Sequence, residues 1–118
     1  MSTEAILSHH LRSFSESIDE IMTDYTSESV LFTPEGPLPG LQPIRTFFEN
    51  FLNTSPPELL QAMTLLRQDV RGEVAYIMWK ADPYIPLATD TFVVRDGKIV
   101  AQSFAVLAPT PEGAGARA

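Results

Sequence analysis

The chain has 118 residues, 44% of them hydrophobic, a net charge of −7 and no cysteine. That length and apolar fraction suit one globular domain with a sizeable core, and the negative balance argues against a nucleic-acid or anionic-membrane partner, since both want a basic surface. The lack of cysteine removes disulfides, thiol nucleophiles and thiolate metal sites, no basic-then-apolar leader opens the chain, and no apolar run approaches the roughly 20 residues that span a bilayer; a soluble, cytoplasmic protein is expected.

Residues 3–15 carry Ile6, Leu7, Leu11 and Phe14 at helical spacing. On that helix His10 projects between Ile6 and Leu7, near Phe14, whereas His9 projects with Arg12, Ser13 and Glu16; His10 is expected inside and His9 outside. Ser17 followed by Glu20 is a capping-box pattern. It starts a second short helix whose inner residues are Ile18, Ile21, Met22 and Tyr25. Residues 29–33 read as a short strand ended by Pro34, and 35–40, with two prolines and two glycines, as a loop. In the next helix Pro43 sits where a first-turn proline is tolerated, and Ile44, Phe47, Phe48, Phe51 and Leu52 follow the i, i+3, i+4, i+7, i+8 rule. Residues 53–57 break it.

The rest reads as strands. Residues 58–70 form a long apolar one, Arg71-Gly72 a turn, 73–81 another strand, and 82–86 a turn with two prolines. Residues 89–106 form two β-branched, aromatic-rich strands joined at Arg95-Asp96-Gly97. A two-residue loop would set Asp90 opposite Ser103; a three-residue loop with a bulge at Gly97 would set it opposite Gln102. The bulged register is favoured, because it puts Val100, Gln102 and Phe104 on one face with Asp90, Phe92 and Val94. From Pro109 onward the chain is small, polar and turn-forming, so a single domain over 1–108 and a flexible tail over 109–118 are expected. Helices followed by antiparallel strands mean α+β. A curved sheet wrapped around the Phe-rich helix leaves a pocket between the layers.

The order α-α-β-α-β-β-β-β resembles the NTF2-like superfamily, and the local motifs look closest to SnoaL-like polyketide cyclases and ketosteroid isomerases. The carriers are DEIMTDYTSESVLFTPEG (19–36), PIRTFFENFL (43–52) and DTFVVRDGKIVAQSF (90–104), within a match over nearly all of 5–107. The resemblance implies a cone-shaped α+β fold: three N-terminal helices on a strongly curved, mostly antiparallel mixed sheet. It implies an enclosed pocket for a small hydrophobic, cyclic or polyketide-like molecule, and a homodimer through the outer sheet face, where Val93, Leu65 and Met78 would serve. Asp90 matches the isomerase position of a protonated acid in the oxyanion hole; Tyr25 matches a tyrosine of the network behind it, and His10, after a one-residue gap, the hole's own tyrosine. Two departures count against isomerase chemistry: Thr33 replaces the general-base aspartate and Phe48 the network tyrosine.

Asp90 and His10 are therefore the candidate catalytic pair. A carboxyl in an apolar pocket can hold a proton near neutral pH, and imidazole titrates in the right range. The plainer alternatives are a strand acid bonded to Thr91, Gln102 or water, and a core histidine bonded to a carbonyl or Tyr25. Candidate ligand-binding residues are Tyr25, Phe32, Thr33, Phe48, Trp79, Phe92, Gln102 and Phe104. Asp24 reads as a solvated helix-end charge. Adjacent helix positions diverge by roughly 100°, so His9-His10 is a poor metal pair; no metal and no cofactor is implied, and a non-catalytic ligand-binding or scaffolding homodimer is the alternative function.

Overall fold

A computed structural model describes residues 2–107; the tail expected over 109–118 lies outside them. Helix α1 (Thr3–Ser13) is capped by the Ser2 hydroxyl, which accepts from the Ala5 amide at 3.0 Å. Helix α2 (Ile18–Met22) is capped likewise by Ser17, from the Glu20 amide. The capping box stays half-made, because the Glu20 carboxylate turns instead to His9. Tyr25 does not extend α2 as its spacing suggested. The Thr23 hydroxyl donates to the Glu20 carbonyl, the Asp24 carbonyl accepts from the Ile99 amide at 2.7 Å, and the chain passes into β1 (Tyr25–Thr33). β1 is thus longer than the strand expected over 29–33.

The segment expected as a loop contains strand β2 (Gly36–Pro39), which pairs antiparallel with β1 through Leu31↔Leu38 and Phe32↔Pro37. Its prolines signal a loop in the sequence, yet they occupy alternate positions of an edge strand, where the missing N–H faces outward. The Gly40 amide turns in to the Ser29 carbonyl at 2.8 Å. Helix α3 (Leu41–Thr54) buries Ile44 and Phe48. Residues 58–70 are not one strand. Pro57 opens a short helix, α4 (Pro57–Ala62), burying Leu59, and β3 (Met63–Arg71) follows. Proline at the first helical position suits a helix start, and an apolar pair as short as Leu59-Leu60 does not distinguish helix from strand. Strand β4 (Val74–Ala81) fits its expected span; β5 (Ile85–Arg95) begins before the expected Thr89, and β6 (Lys98–Leu107) completes the sheet.

The sheet order is β2-β1-β6-β5-β4-β3, with β1 and β6 parallel and the other pairs antiparallel. The architecture is α+β, a curved mixed sheet of six strands packed by helices. The β5–β6 turn has two residues, Asp96 and Gly97, both with positive φ (53° and 75°), and pairs Arg95 with Lys98. A register shift follows between Val93↔Ala101 and Val94↔Ile99, so Asp90 faces Phe104 and Phe92 faces Gln102. Neither expected loop register is met along the whole hairpin. The expected face is met, because the bulge at Val100 restores the parity that a three-residue loop would have given.

Candidate functional site

Side chains of Ile77 and Trp79 in β4, Asp90 and Phe92 in β5, and Gln102 and Phe104 in β6 point to the same face of the sheet. Across from them stand His10 and Phe14 of the α1 segment, Phe47 and Phe51 of α3, and Leu60 of α4. They enclose an open hollow of about 330 Å³, the low end of the size range of small-molecule pockets. Six of the ten site residues expected from the sequence line it: His10, Trp79, Asp90, Phe92, Gln102 and Phe104. Tyr25 and Phe48 are buried behind His10, with ring centroids 5.8 and 6.0 Å from the imidazole.

Phe32 and Thr33 are elsewhere. Phe32 pairs with Ser103 in register and lies 48% exposed on the convex face; the Thr33 hydroxyl donates to the Gly36 carbonyl at the β1–β2 turn. Leu65 is a further correction: it sits opposite Trp79 and lines the hollow rather than the outer face. Phe14, Phe47 and Phe51 were legible as helical faces but not as pocket wall. Leu60 was missed because α4 read as strand.

Asp90 is the centre of a side-chain network. Trp79 donates its indole N–H to Oδ1 at 2.8 Å, and Gln102 donates from Nε2 to Oδ2 at 3.0 Å. The Tyr25 hydroxyl donates to the Gln102 Oε1 and so orients that amide. Burial raises the Asp90 pKa above the usual aspartate value, and the two hydrogen bonds pull it partly back. The network can serve either proton state. Ionised, Asp90 accepts from both donors. Protonated, it can donate to the Gln102 amide oxygen once that amide turns, because a tyrosine hydroxyl accepts as well as donates.

His10 is fully enclosed, with edge-to-face contacts to Phe14 at 5.1 Å and Phe92 at 5.4 Å. Its Nδ1 has no hydrogen-bond partner among the described residues, and burial lowers its pKa to about 3. Asp24 comes within 3.9 Å of Nδ1. His10 and Asp90 thus share the hollow, but no hydrogen bond joins them. The neutral imidazole is not a cationic acid at physiological pH.

Asp24 is not a solvated charge; it is 4% exposed. The first helix reaches over it, and His9 places Nδ1 at 2.8 Å from both its oxygens and Nε2 at 2.5 Å from Glu20. These contacts, the Glu20 bond foremost, raise the His9 pKa, while burial raises that of Asp24. Among the described residues, no group of three or more His, Cys, Asp or Glu is arranged to hold a metal ion, and no helix is long and apolar enough to cross a membrane.

No family model and no curated protein matches this sequence. Solved structures do match. An NTF2-like protein of unknown function from Burkholderia xenovorans superposes with a TM-score of 0.73 at 13% identity, over 98% of this chain and 92% of that one. The chain has the NTF2-like fold. A proposed polyketide cyclase from Sinorhizobium meliloti is similar at a TM-score of 0.70 and 16% identity, covering 86% of this chain and 94% of its own. A protein of ketosteroid isomerase-like fold from Catenulispora acidiphila, solved with trimethylamine, is similar at 0.66 and 10%, covering 85% and 83%. Within the NTF2-like fold, the hollow here is the space between the helical layer and the concave sheet face.

Proposed function

We propose that this is a cytoplasmic pocket protein that binds a small hydrophobic molecule, cyclic or polyketide-like, and moves a proton on it with Asp90. The observation that carries this reading is one carboxyl group set in a mainly aromatic and aliphatic hollow, bonded to neutral donors only. A carboxyl with a raised pKa in such a place is suited to general acid–base work in cyclisation, isomerisation, hydration or hydrolysis. Asp90 acts without a second carboxylate from β1, because Thr33 stands at that strand's end and is committed to its turn. The isomerase route of base plus oxyanion hole is therefore disfavoured. His10 contributes as a neutral wall of the hollow.

A second reading, a non-catalytic ligand-binding or scaffolding homodimer, is favoured by the convex sheet face. Phe32, Val74 and Leu107 are 48%, 43% and 56% exposed there, alongside Val93 and Met78. Apolar surface of this kind suits a dimer interface. The two readings part on one experiment: titrating a phenol into wild-type and Asp90→Asn protein across pH 4 to 9, with fluorescence of the single tryptophan, Trp79, as reporter. Acid–base function requires a pH dependence of binding that the substitution removes. Identical pH profiles would favour the scaffold.

A further inference from the structure

Among the described residues, the one acid lining the hollow has no cationic side chain beside it. Of the side chains lining it, Asp90 is the acid, and none is a lysine or arginine. His10 is the other titratable group on the wall. It lies among the rings of Phe14, Tyr25, Phe48 and Phe92 without a hydrogen bond to Asp90, so it does not act as the counter-ion. The two groups that do reach Asp90, the Trp79 indole and the Gln102 amide, are neutral dipoles. The Tyr25 hydroxyl donates to the Gln102 oxygen, so the amide's donor side lies toward the carboxyl, an arrangement that suits the ionised form of Asp90. A carboxylate offers about four acceptor positions; these two donors fill two, and the remainder is available to a ligand.

A second enclosed acid among the described residues shows the contrast. Asp24 is buried, and His9 lies on both of its oxygens. Among the described residues, Asp90 has no such internal cation. Aromatic rings line the same hollow instead: Phe14, Phe47, Phe51, Trp79, Phe92 and Phe104. Aromatic rings attract a cation over their faces, and more so where water is excluded. A net charge of −7 adds a long-range pull in the same direction. An uncharged apolar ligand would strip water from Asp90 and return nothing to it; an anionic one would face the carboxylate directly.

We infer that the hollow selects a small amphipathic cation: an amine or quaternary ammonium whose charged head meets Asp90 and whose ring or alkyl body packs on the Phe14–Phe47–Phe104 side. This rests on the proposed reading of the hollow as a ligand site, and narrows it. A volume of about 330 Å³ holds a compact ligand of this kind. No bond is made or broken in the step; the association is an ion pair with cation–π support.

Isothermal calorimetry with two probes of one shape tests it: benzyltrimethylammonium, and neopentylbenzene, in which carbon replaces the nitrogen and the charge is gone. The cation should bind wild-type protein about 10-fold or more tightly than its carbon analogue, the usual scale of one desolvated cation–π or charge contact. Asp90→Asn should bring the two affinities together. Phe104→Leu, which keeps an apolar side chain but removes a ring face, should weaken the cation more than the hydrocarbon, and serves if the Asn variant does not fold. Equal affinities in the wild type, or a preference for the hydrocarbon, would overturn the inference and leave the hydrophobic site standing. A cation preference that survives both substitutions would also overturn it. Binding of neither probe would remove the ligand-site reading itself, and this inference with it.

Discussion

His9 and His10 are adjacent in sequence and differ in almost every physical respect. His9, on the outer flank of α1, is held between two carboxylates and has its pKa raised. His10 points inward among aromatic rings, lacks a partner at Nδ1, and has its pKa lowered to about 3. One step of a helix, roughly 100°, separates them. The lesson is that residue type fixes what a group can do, while the neighbours brought in by other elements fix what it does. His9 ties α1 to α2 and the start of β1, and His10 forms part of the wall of the hollow.

The contrast can be broken from the His10 side with the largest effect. In the unfolded chain this histidine takes a proton near pH 6.5, and in the folded chain only near pH 3. Between those values the unfolded state binds more protons, so stability falls as pH falls, by about 1.4 kcal/mol per pH unit. His10→Leu removes that penalty. It should leave chemical denaturation at pH 7.5 within about 1.5 kcal/mol of wild type and be more stable by about 3 kcal/mol at pH 4. A parallel loss of stability in both proteins on acidification would show that His10 does not remain neutral.

The Asp90 network should respond next. Gln102→Leu leaves both the Tyr25 hydroxyl and the Asp90 Oδ2 without their partner. At about 1–3 kcal/mol for each buried group left unpaired, the variant should lose at least about 2 kcal/mol in urea unfolding. A loss below roughly 0.5 kcal/mol would mean that the amide does not bridge the two groups.

His9 gives the smallest effect and the opposite sign of pH dependence. A raised folded pKa contributes stability that is fully present below the unfolded value of 6.5 and is lost as pH rises through the folded value. The melting temperature of wild type should therefore exceed that of His9→Gln at pH 6 by a few degrees, corresponding to about 1 kcal/mol, and the gap should narrow at pH 9. A gap that widens with pH would reverse the assignment of His9 as the cationic partner.

The amphipathic spacing of α1 and α3 was legible in the sequence, as were the inward turn of His10 and the face shared by Asp90, Phe92, Gln102 and Phe104. These follow from periods of 3.6 and 2 that local sequence carries. What was not legible depends on partners distant in the chain. Asp24 looked like a surface charge because its partner, His9, lies fifteen residues earlier on α1. β2 was hidden by Pro37 and Pro39, which signal a loop unless the segment is known to be an edge. The hairpin face came out correctly although the turn did not, since a bulge at Val100 undid the difference. Thr33 was placed at the site by resemblance and Phe32 as one of a set of aromatic side chains; the β1–β2 turn and the sheet parity take them away from the hollow.

The central claim is that a hydrophobic molecule enters this hollow and meets Asp90. The most direct test is the indole N–H resonance of Trp79, the single tryptophan, which donates its hydrogen bond to the Asp90 carboxylate. With ¹⁵N-labelled protein and 2-naphthol titrated in, binding beside Asp90 predicts a saturable shift of that resonance in wild type and a changed dissociation constant in Asp90→Asn. A resonance that does not move while naphthol binds elsewhere, or that moves identically in both proteins, would contradict it.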